Sequence, residues 1–319
     1  MNSYKYILEP YKGRNTRYRC PSCSQNHKFT RYINAATGEY LADHIGRCDR
    51  QDSCGYHMTP KMFLIENPVF NDYSKNWKKA IDPPDQSKFT IDYLPYDVLE
   101  RSLACHKHCN LFPFLTRLFG DNIASQLCID YLIGSNKKRD TVFWQADIND
   151  NIRQCKIIRY NSLDGKRKKD IPVRFAGKEI LKNNKANLVQ CFFGENLLSF
   201  SINDDKPIGI VESEKTAVIA SIYYPHFVWL ATGGTHGCKW TQKSVCDILT
   251  GRKVIIFPDI NSYDIWCEKA RLISATVKCK VVVSDLLENG ATNNDRVNGY
   301  DLADYLIKFP YTDLSKRVL

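Results

Sequence analysis

The 319-residue chain is long enough for about two domains, and 43% hydrophobic with 25% charged residues is a globular composition, not a disordered or fibrous one. No apolar run approaches the ~20 residues of a membrane-spanning helix, and Met1–Pro10 lacks the basic-then-apolar order of a secretory signal, so a cytoplasmic protein with no membrane partner is expected. Forty-five Lys and Arg against 35 Asp and Glu leave a net charge of +10, an excess that favours polyanionic partners, nucleic acid first.

The first feature along the chain is Cys20-Pro-Ser-Cys23, followed after 24 residues by Cys48-x5-Cys54. In a reducing compartment, close cysteine spacings read as metal ligands rather than disulfides. Two such pairs can close a tetrahedral zinc site on Cys20, Cys23, Cys48 and Cys54. Between them, Lys28–Asn34 alternates like a strand, Ala36–Glu39 reads as a turn, and Leu41–Ile45 is the expected return strand. Gly55 suits the tight turn after the last ligand. The alternative is four ordinary buried cysteines. Met62–Ile65 is expected to be a short helix, and the Pro-rich stretch Ala80–Lys88 a linker.

A second cluster, Cys105-His-Lys-His-Cys109, lacks a partner pair and is read as core cysteines beside solvated histidines. Tyr93–Leu118 is helical in pieces. Thr141–Asp147 and Ile152–Tyr160 form a hairpin around Ile148–Asn151, and Asn161–Lys169 follows as a basic loop. From Asn151 to Lys182 there are ten basic residues and three acids, a net of +7 and most of the chain's excess. Arg153, Arg159, Lys166, Arg167, Lys168 and Lys169 are therefore candidate nucleic-acid contacts, with Trp144 and Tyr160 as stacking faces for single-stranded bases. The bland reading is a hairpin whose charged edge is merely solvated.

From Lys206 onward, continuous apolar strands alternate with helices, the pattern of a parallel sheet covered on both faces. Strands are expected at Pro207–Val211, Phe227–Leu230, Lys253–Phe257 and Val281–Ser284. Helices are expected at Glu214–Tyr223 with Ser213 as N-cap, at Trp240–Leu249, Tyr263–Ala275 and Tyr300–Lys308. In such sheets the site lies at the carboxyl ends of the strands. Glu212 and Asp259 fall there, with Asp285 on a third strand. Converging acids need a cation, and magnesium takes carboxylate oxygens while keeping waters for a phosphate substrate. The bland reading makes them helix caps and surface charges.

Ile210-Val-Glu212 before a helix, then Phe257-Pro-Asp259-Ile-Asn261, resembles the toprim domain of bacterial primases, type IA topoisomerases and related nucleases. That resemblance implies that Glu212 and Asp259 hold magnesium for phosphoryl transfer. The family's second aspartate falls on Asn261, which can ligate but brings no charge; Asp264, Asp301 or Asp304 could compensate. The order of cysteine ribbon, middle region and toprim is similar to that of bacterial DNA primases. Cys54-Gly-Tyr-His-x-Thr-Pro60 and Val211-Glu-Ser-Glu-Lys-Thr-Ala217 resemble primase-like proteins of bacterial mobile elements and phages.

The expected fold class is thus α/β and multidomain: a zinc β-ribbon (1–65), a helix and linker (66–90), an α+β middle region with the basic hairpin (91–200), and a toprim-like parallel sheet (201–319). The expected function is primase-like, with nucleotidyl transfer at a magnesium site of Glu212, Asp259, Asn261 and Asp264. Lys215 and the Gly233–Gly237 turn are further phosphate candidates, although each also has an ordinary structural explanation. Implied partners are single-stranded DNA or other nucleic acid, nucleoside triphosphates and a replicative helicase. The alternatives are a catalytically impaired single-stranded-DNA-binding accessory protein and a toprim nuclease. The chain has no Gly-x4-Gly-Lys-Ser/Thr loop for an attached ATPase.

Overall fold

A computed structural model describes residues 5–50, 54–66, 90–234 and 237–314. The expected linker at 80–88, and Thr235 and His236 of the glycine turn, lie outside them. The chain divides into two compact units, residues 1–89 and 90–319. No helix among the described residues is long and apolar enough to cross a membrane.

The first unit is a four-stranded antiparallel sheet in the order β1 (Tyr6–Leu8), β2 (Phe29–Asn34), β3 (Gly46–Cys48), β4 (His57–Met58), followed by helix α1 (Pro60–Glu66). The return strand therefore begins at Gly46, and Leu41–Ile45, expected as that strand, is turn instead. The register explains the difference: Phe29 pairs with Cys48, which draws the second cysteine pair back to the first. β3 also approaches β2 so closely that a Cβ at Gly46 would sit 2.2 Å from the Thr30 carbonyl. The core of this unit is Phe29 with Cys20, Cys48 and Cys54, backed by Tyr18, Cys23 and Tyr56. Phe29, Ile45 and Phe63 are its buried large apolar side chains among the described residues, each stabilising by roughly 1.5–3 kcal/mol, little against the cost of ordering the unit, whereas a structural zinc contributes about 10–16 kcal/mol.

The second unit opens with helices α2 (Tyr96–Leu103), α3 (Phe112–Phe119) and α4 (Asp121–Asp130). An antiparallel sheet follows in chain order, β5 (Ile133–Ser135), β6 (Thr141–Ala146), β7 (Ile152–Ile158) and β8 (Arg174–Phe175), then the short helix α5 (Gly177–Ile180). Next come β9 (Ile208–Val211), α6 (Glu214–Tyr223), β10 (Val228–Ala231), α7 (Lys243–Cys246), β11 (Lys253–Ile256), α8 (Tyr263–Thr276) and β12 (Lys280–Val283). Helices α9 (Leu286–Gly290), α10 (Asn293–Asn298), α11 (Leu302–Leu306) and α12 (Tyr311–Leu314) follow. The last four strands form a wholly parallel sheet in the order β10-β9-β11-β12.

Alternation along the parallel strands splits their side chains between two cores. Ile208, Ile210, Val228 and Leu230 face Trp240, Trp266 and Ile273 on one side. Val211, Trp229 and Ala231 face α6 and α11 on the other, in a core that also takes in Phe143 and Ile158 of the antiparallel sheet. The sheet is thus covered on both faces, as continuous apolar strands require. Two expected details differ. Ser213 takes the N-cap position of α6 without a side-chain hydrogen bond. The expected helix at Trp240–Leu249 is only Lys243–Cys246 plus a 3-10 turn, because Lys239 has φ +59° and Trp240 is spent packing on Trp266, 4.9 Å between ring centroids.

Candidate metal centres and basic surface

The turn at Cys20–Cys23 and the β3–β4 connection bring four thiols together. Cys20 Sγ lies 3.7 Å from Cys54 Sγ, and Cys23 Sγ 3.9 Å from Cys48 Sγ. A tetrahedron with Zn–S of about 2.3 Å has edges of about 3.8 Å, so the spacing fits zinc. All four ligand atoms fall within 4.8 Å of one another, the only such group of three or more His, Cys, Asp or Glu among the described residues. At Cys23, burial pushes the thiol up, but the Gln25 backbone N–H and the neighbouring thiols outweigh it and bring the pKa down to about 7. A thiolate ready to bind metal is thus available near neutral pH. Cys105 is exposed and Cys109 buried; their cluster forms no such group.

At the carboxyl edge of the parallel sheet, β9 runs into Glu212 and β11 into Asp259. Ile256 pairs with Ile210, and the Phe257 N–H donates to the Ile210 carbonyl at 2.8 Å, so the two acids leave adjacent strands at the same end. The Ile260 N–H donates to the Tyr300 carbonyl, which brings Asp301 and the start of α11 alongside. Burial is the main reason the Asp259 carboxyl is pushed up to about 8; the charges of Asp301, Glu212 and Asp304 add to it, and Lys215 opposes them. Asp304 is raised by burial and by Asp301, with Lys215 and Lys166 opposing. The structure thus gathers Glu212, Asp259, Asp301, Asp304 and Lys215, with Lys166 of the basic loop close enough to act on Asp304 and the half-buried Lys269 of α8 close enough to feel Glu212.

The acids are not equally available. Asp301 is the N-cap of α11: its Oδ1 accepts from the Asp304 N–H at 2.9 Å, and its Oδ2 accepts from Thr216 Oγ1 at 2.8 Å. Asp304 Oδ2 accepts from the Asp301 N–H at 3.3 Å. Asn261 has φ +69°, and its side-chain amide donates to the Arg296 carbonyl at 3.1 Å. Asp264 is exposed in the first turn of α8 and is not among the charges that bear most on Asp259. Asp285 accepts from Asn289 at 2.8 Å. This donor set fits a magnesium ion held by one or two carboxylates and completed by waters and phosphate oxygens. It does not form an all-protein cage, since no three of its carboxylates come within 4.8 Å of one another.

The antiparallel sheet carries the basic surface. Lys166, Arg167, Lys168 and Lys169 are exposed, on a loop whose backbone is tied by Asn161 N–H to the Lys166 carbonyl and Lys168 N–H to the Arg159 carbonyl. Arg117 donates to the Ser162 carbonyl at 2.6 Å and anchors the loop from α3. Arg153 is paired with Asp147 at 2.8 Å, and Arg159 with Asp140. Lys138, Arg159 and Arg174, with Asp140 paired to Arg159, line a cavity of about 330 Å³ together with Ile157, Ile171 and Pro172.

Trp144 and Tyr160, expected as stacking faces, are instead buried at 2% and 5% exposure. Strand β6 is buried along its whole length because the sheet has a core on each face. Lys156, counted among the hairpin cations, is buried too: its ammonium is paired with Glu214 at 2.8 Å. No local pattern announces that pair, since its members lie 58 residues apart. The supporting acids Asp301 and Asp304 carried one signal, a carboxylate pair spaced for a capping box ahead of a helix.

Residues 4–69 match the zinc beta-ribbon finger family, and residues 109–260 match a domain of unknown function (DUF6371). No curated protein matches the chain. Among solved structures, the chain is similar to the zinc-binding and RNA polymerase domains of the Aquifex aeolicus primase, at 13% identity over 97% of this chain and 85% of that one, TM-score 0.40. It is also similar to the DnaG catalytic core, at 9% identity over 66% and 81%, TM-score 0.40. A third is the RNA polymerase domain of Mycobacterium tuberculosis primase DnaG with a double-stranded DNA oligomer bearing a 6-nucleotide overhang, at 10% identity over 68% and 80%, TM-score 0.37.

Proposed function

We propose that this is a primase-like nucleic-acid-binding protein of mobile-element or phage DNA replication that carries out magnesium-dependent nucleotidyl transfer at the edge formed by Glu212 and Asp259. The observation that carries the reading is geometric: Glu212 and Asp259 leave adjacent parallel strands at the same end of the sheet, with the start of α11 and its Asp301 brought alongside, and burial with the neighbouring acids raises the Asp259 carboxyl there. Magnesium bound there would offset charge on the transferring phosphoryl group. Glu212 and Asp259 would hold it, and Asp259 would release its proton as the ion arrives. Lys215 and Lys166, both felt by Asp304, would face the triphosphate. The exposed loop Lys166–Lys169 would track the backbone of a single strand, and the zinc ribbon would touch the template. A replicative helicase remains the implied protein partner.

The test is to incubate the full chain with single-stranded template, ribo- or deoxyribonucleoside triphosphates and magnesium. Short products that vanish with Glu212→Gln are expected. Shortening of the template instead would make the protein a nuclease.

One observation favours a second reading, a nucleic-acid-binding accessory protein without catalysis. No three carboxylates of the edge close to metal-binding range, and Asn261 supplies no charge. Salt-steep binding with no product would establish it.

A further inference from the structure

Strand β7 and the residue that follows it present alternate side chains to opposite faces. Ile157 and Arg159 line the cavity, whereas Lys156 and Ile158 point to the parallel layer. The Lys156 ammonium donates to Glu214 Oε1 at 2.8 Å, to Glu214 Oε2 at 2.9 Å and to the Gly233 carbonyl at 2.9 Å. An ammonium has three N–H donors. All three have partners inside the protein, so Lys156 has none to offer a phosphate.

The bonds continue toward the acid edge. The Gly233 N–H donates to the Glu212 carbonyl at 2.9 Å, and the Gly234 N–H to the same oxygen at 3.2 Å. Gly233 has φ +79°, and a Cβ there would stand 3.1 Å from Glu214 Oε1, so the turn is fitted tightly to the ion pair. One cation from the antiparallel sheet therefore holds two things at once: the first turn of α6 through Glu214, and the turn that grips the main chain of Glu212. Stability alone does not account for it, because a hydrophobic pair of similar volume commonly serves a buried site as well or better.

We propose that Lys156 is a positioning residue for the acid edge, fixing the Glu212 main chain through Gly233 and so setting where the Glu212 carboxylate meets a divalent cation. This rests on the reading of Glu212 as a metal ligand, and the test separates the two. Lys156→Met alone leaves Glu214 charged and unpaired, so the informative variant is Lys156→Met with Glu214→Met in the zinc-loaded full chain. Hydrogen exchange at the Gly233 and Gly234 amides is expected to quicken at least tenfold while the Ile210 and Ile256 amides keep their protection. The magnesium concentration for half-maximal thermal stabilisation is expected to rise at least tenfold. Lys156→Arg, which keeps the charge, should restore most of the glycine protection. Unchanged exchange at Gly233 and Gly234, or uniform quickening across the parallel sheet, would overturn the proposal. A wild-type chain with no magnesium response would sink the metal reading of Glu212, while the glycine amides would still decide whether Lys156 holds the turn.

Discussion

The cysteine cluster takes its ligands from positions 20 to 54 of the sequence, whereas the acid edge collects Glu212, Asp259, Asp301 and Asp304 from three separate elements. The thiols meet at tetrahedral spacing without help from outside their own small sheet. The carboxylates come to one end of the sheet only through a parallel register and a helix cap, and no three of them close to within 4.8 Å. A closed site of the first kind has its geometry decided by the fold. An open site of the second kind leaves positions for solvent and substrate, which is where chemistry can occur.

The largest effect should come from breaking the closed site. Zinc removal by a chelator, or Cys48→Ser, is expected to abolish hydrogen-exchange protection in β2 and β3 while the second unit keeps its own thermal transition. Loss of both transitions together would show that the second unit leans on the metal.

Next is Lys156→Met. Stripping the partner from the buried Glu214 carboxylate should cost about 3–5 kcal/mol in urea unfolding of the second unit, against less than about 0.5 kcal/mol for an exposed lysine such as Lys168.

Asp259 gives an effect of similar order, spread over pH and with a definite sign. Its carboxyl is raised from 3.8 to about 8 in the folded chain, so the fold favours its protonated form. That contribution is complete below pH 4 and is lost as pH rises through 8. Asp259→Asn should therefore gain stability relative to wild type as pH climbs from 5 to 8.5. Magnesium should offset the loss in wild type only, with an affinity that rises over the same interval. A stability difference that is flat with pH would remove Asp259 from the site.

The smallest effect belongs to the exposed loop. Lys168→Ala with Lys169→Ala should weaken single-strand binding about equally across sequences and lower the salt slope by about one unit per lost phosphate contact, without changing unfolding. An unaltered slope would move the backbone contact elsewhere, with the cavity between Arg159 and Arg174 the next surface to test.

What could be read before the fold was known follows the same division. Cys20–Cys54 was legible because Cys-x2-Cys and Cys-x5-Cys are local, and Glu212 and Asp259 because a strand end is marked by the apolar run before it. The return strand was placed five residues early because a turn-rich segment and a strand start look alike until Cys48 must meet Phe29. Trp144 and Tyr160 were misplaced because an amphipathic hairpin was assumed where the sheet is buried on both faces. Lys156 was one of the ten basic residues counted between Asn151 and Lys182, and composition cannot tell a solvated ammonium from one whose partner lies on another sheet.

Asp301 is already engaged through both of its oxygens. Its oxygens close the capping box of α11 and accept the Thr216 hydroxyl of α6. A cation that drew on this carboxylate would loosen the start of the helix beyond it, so occupancy at the sheet edge would be announced some distance away. The Asp304 amide, protected by that cap, would then report whether a cation is bound at the sheet edge.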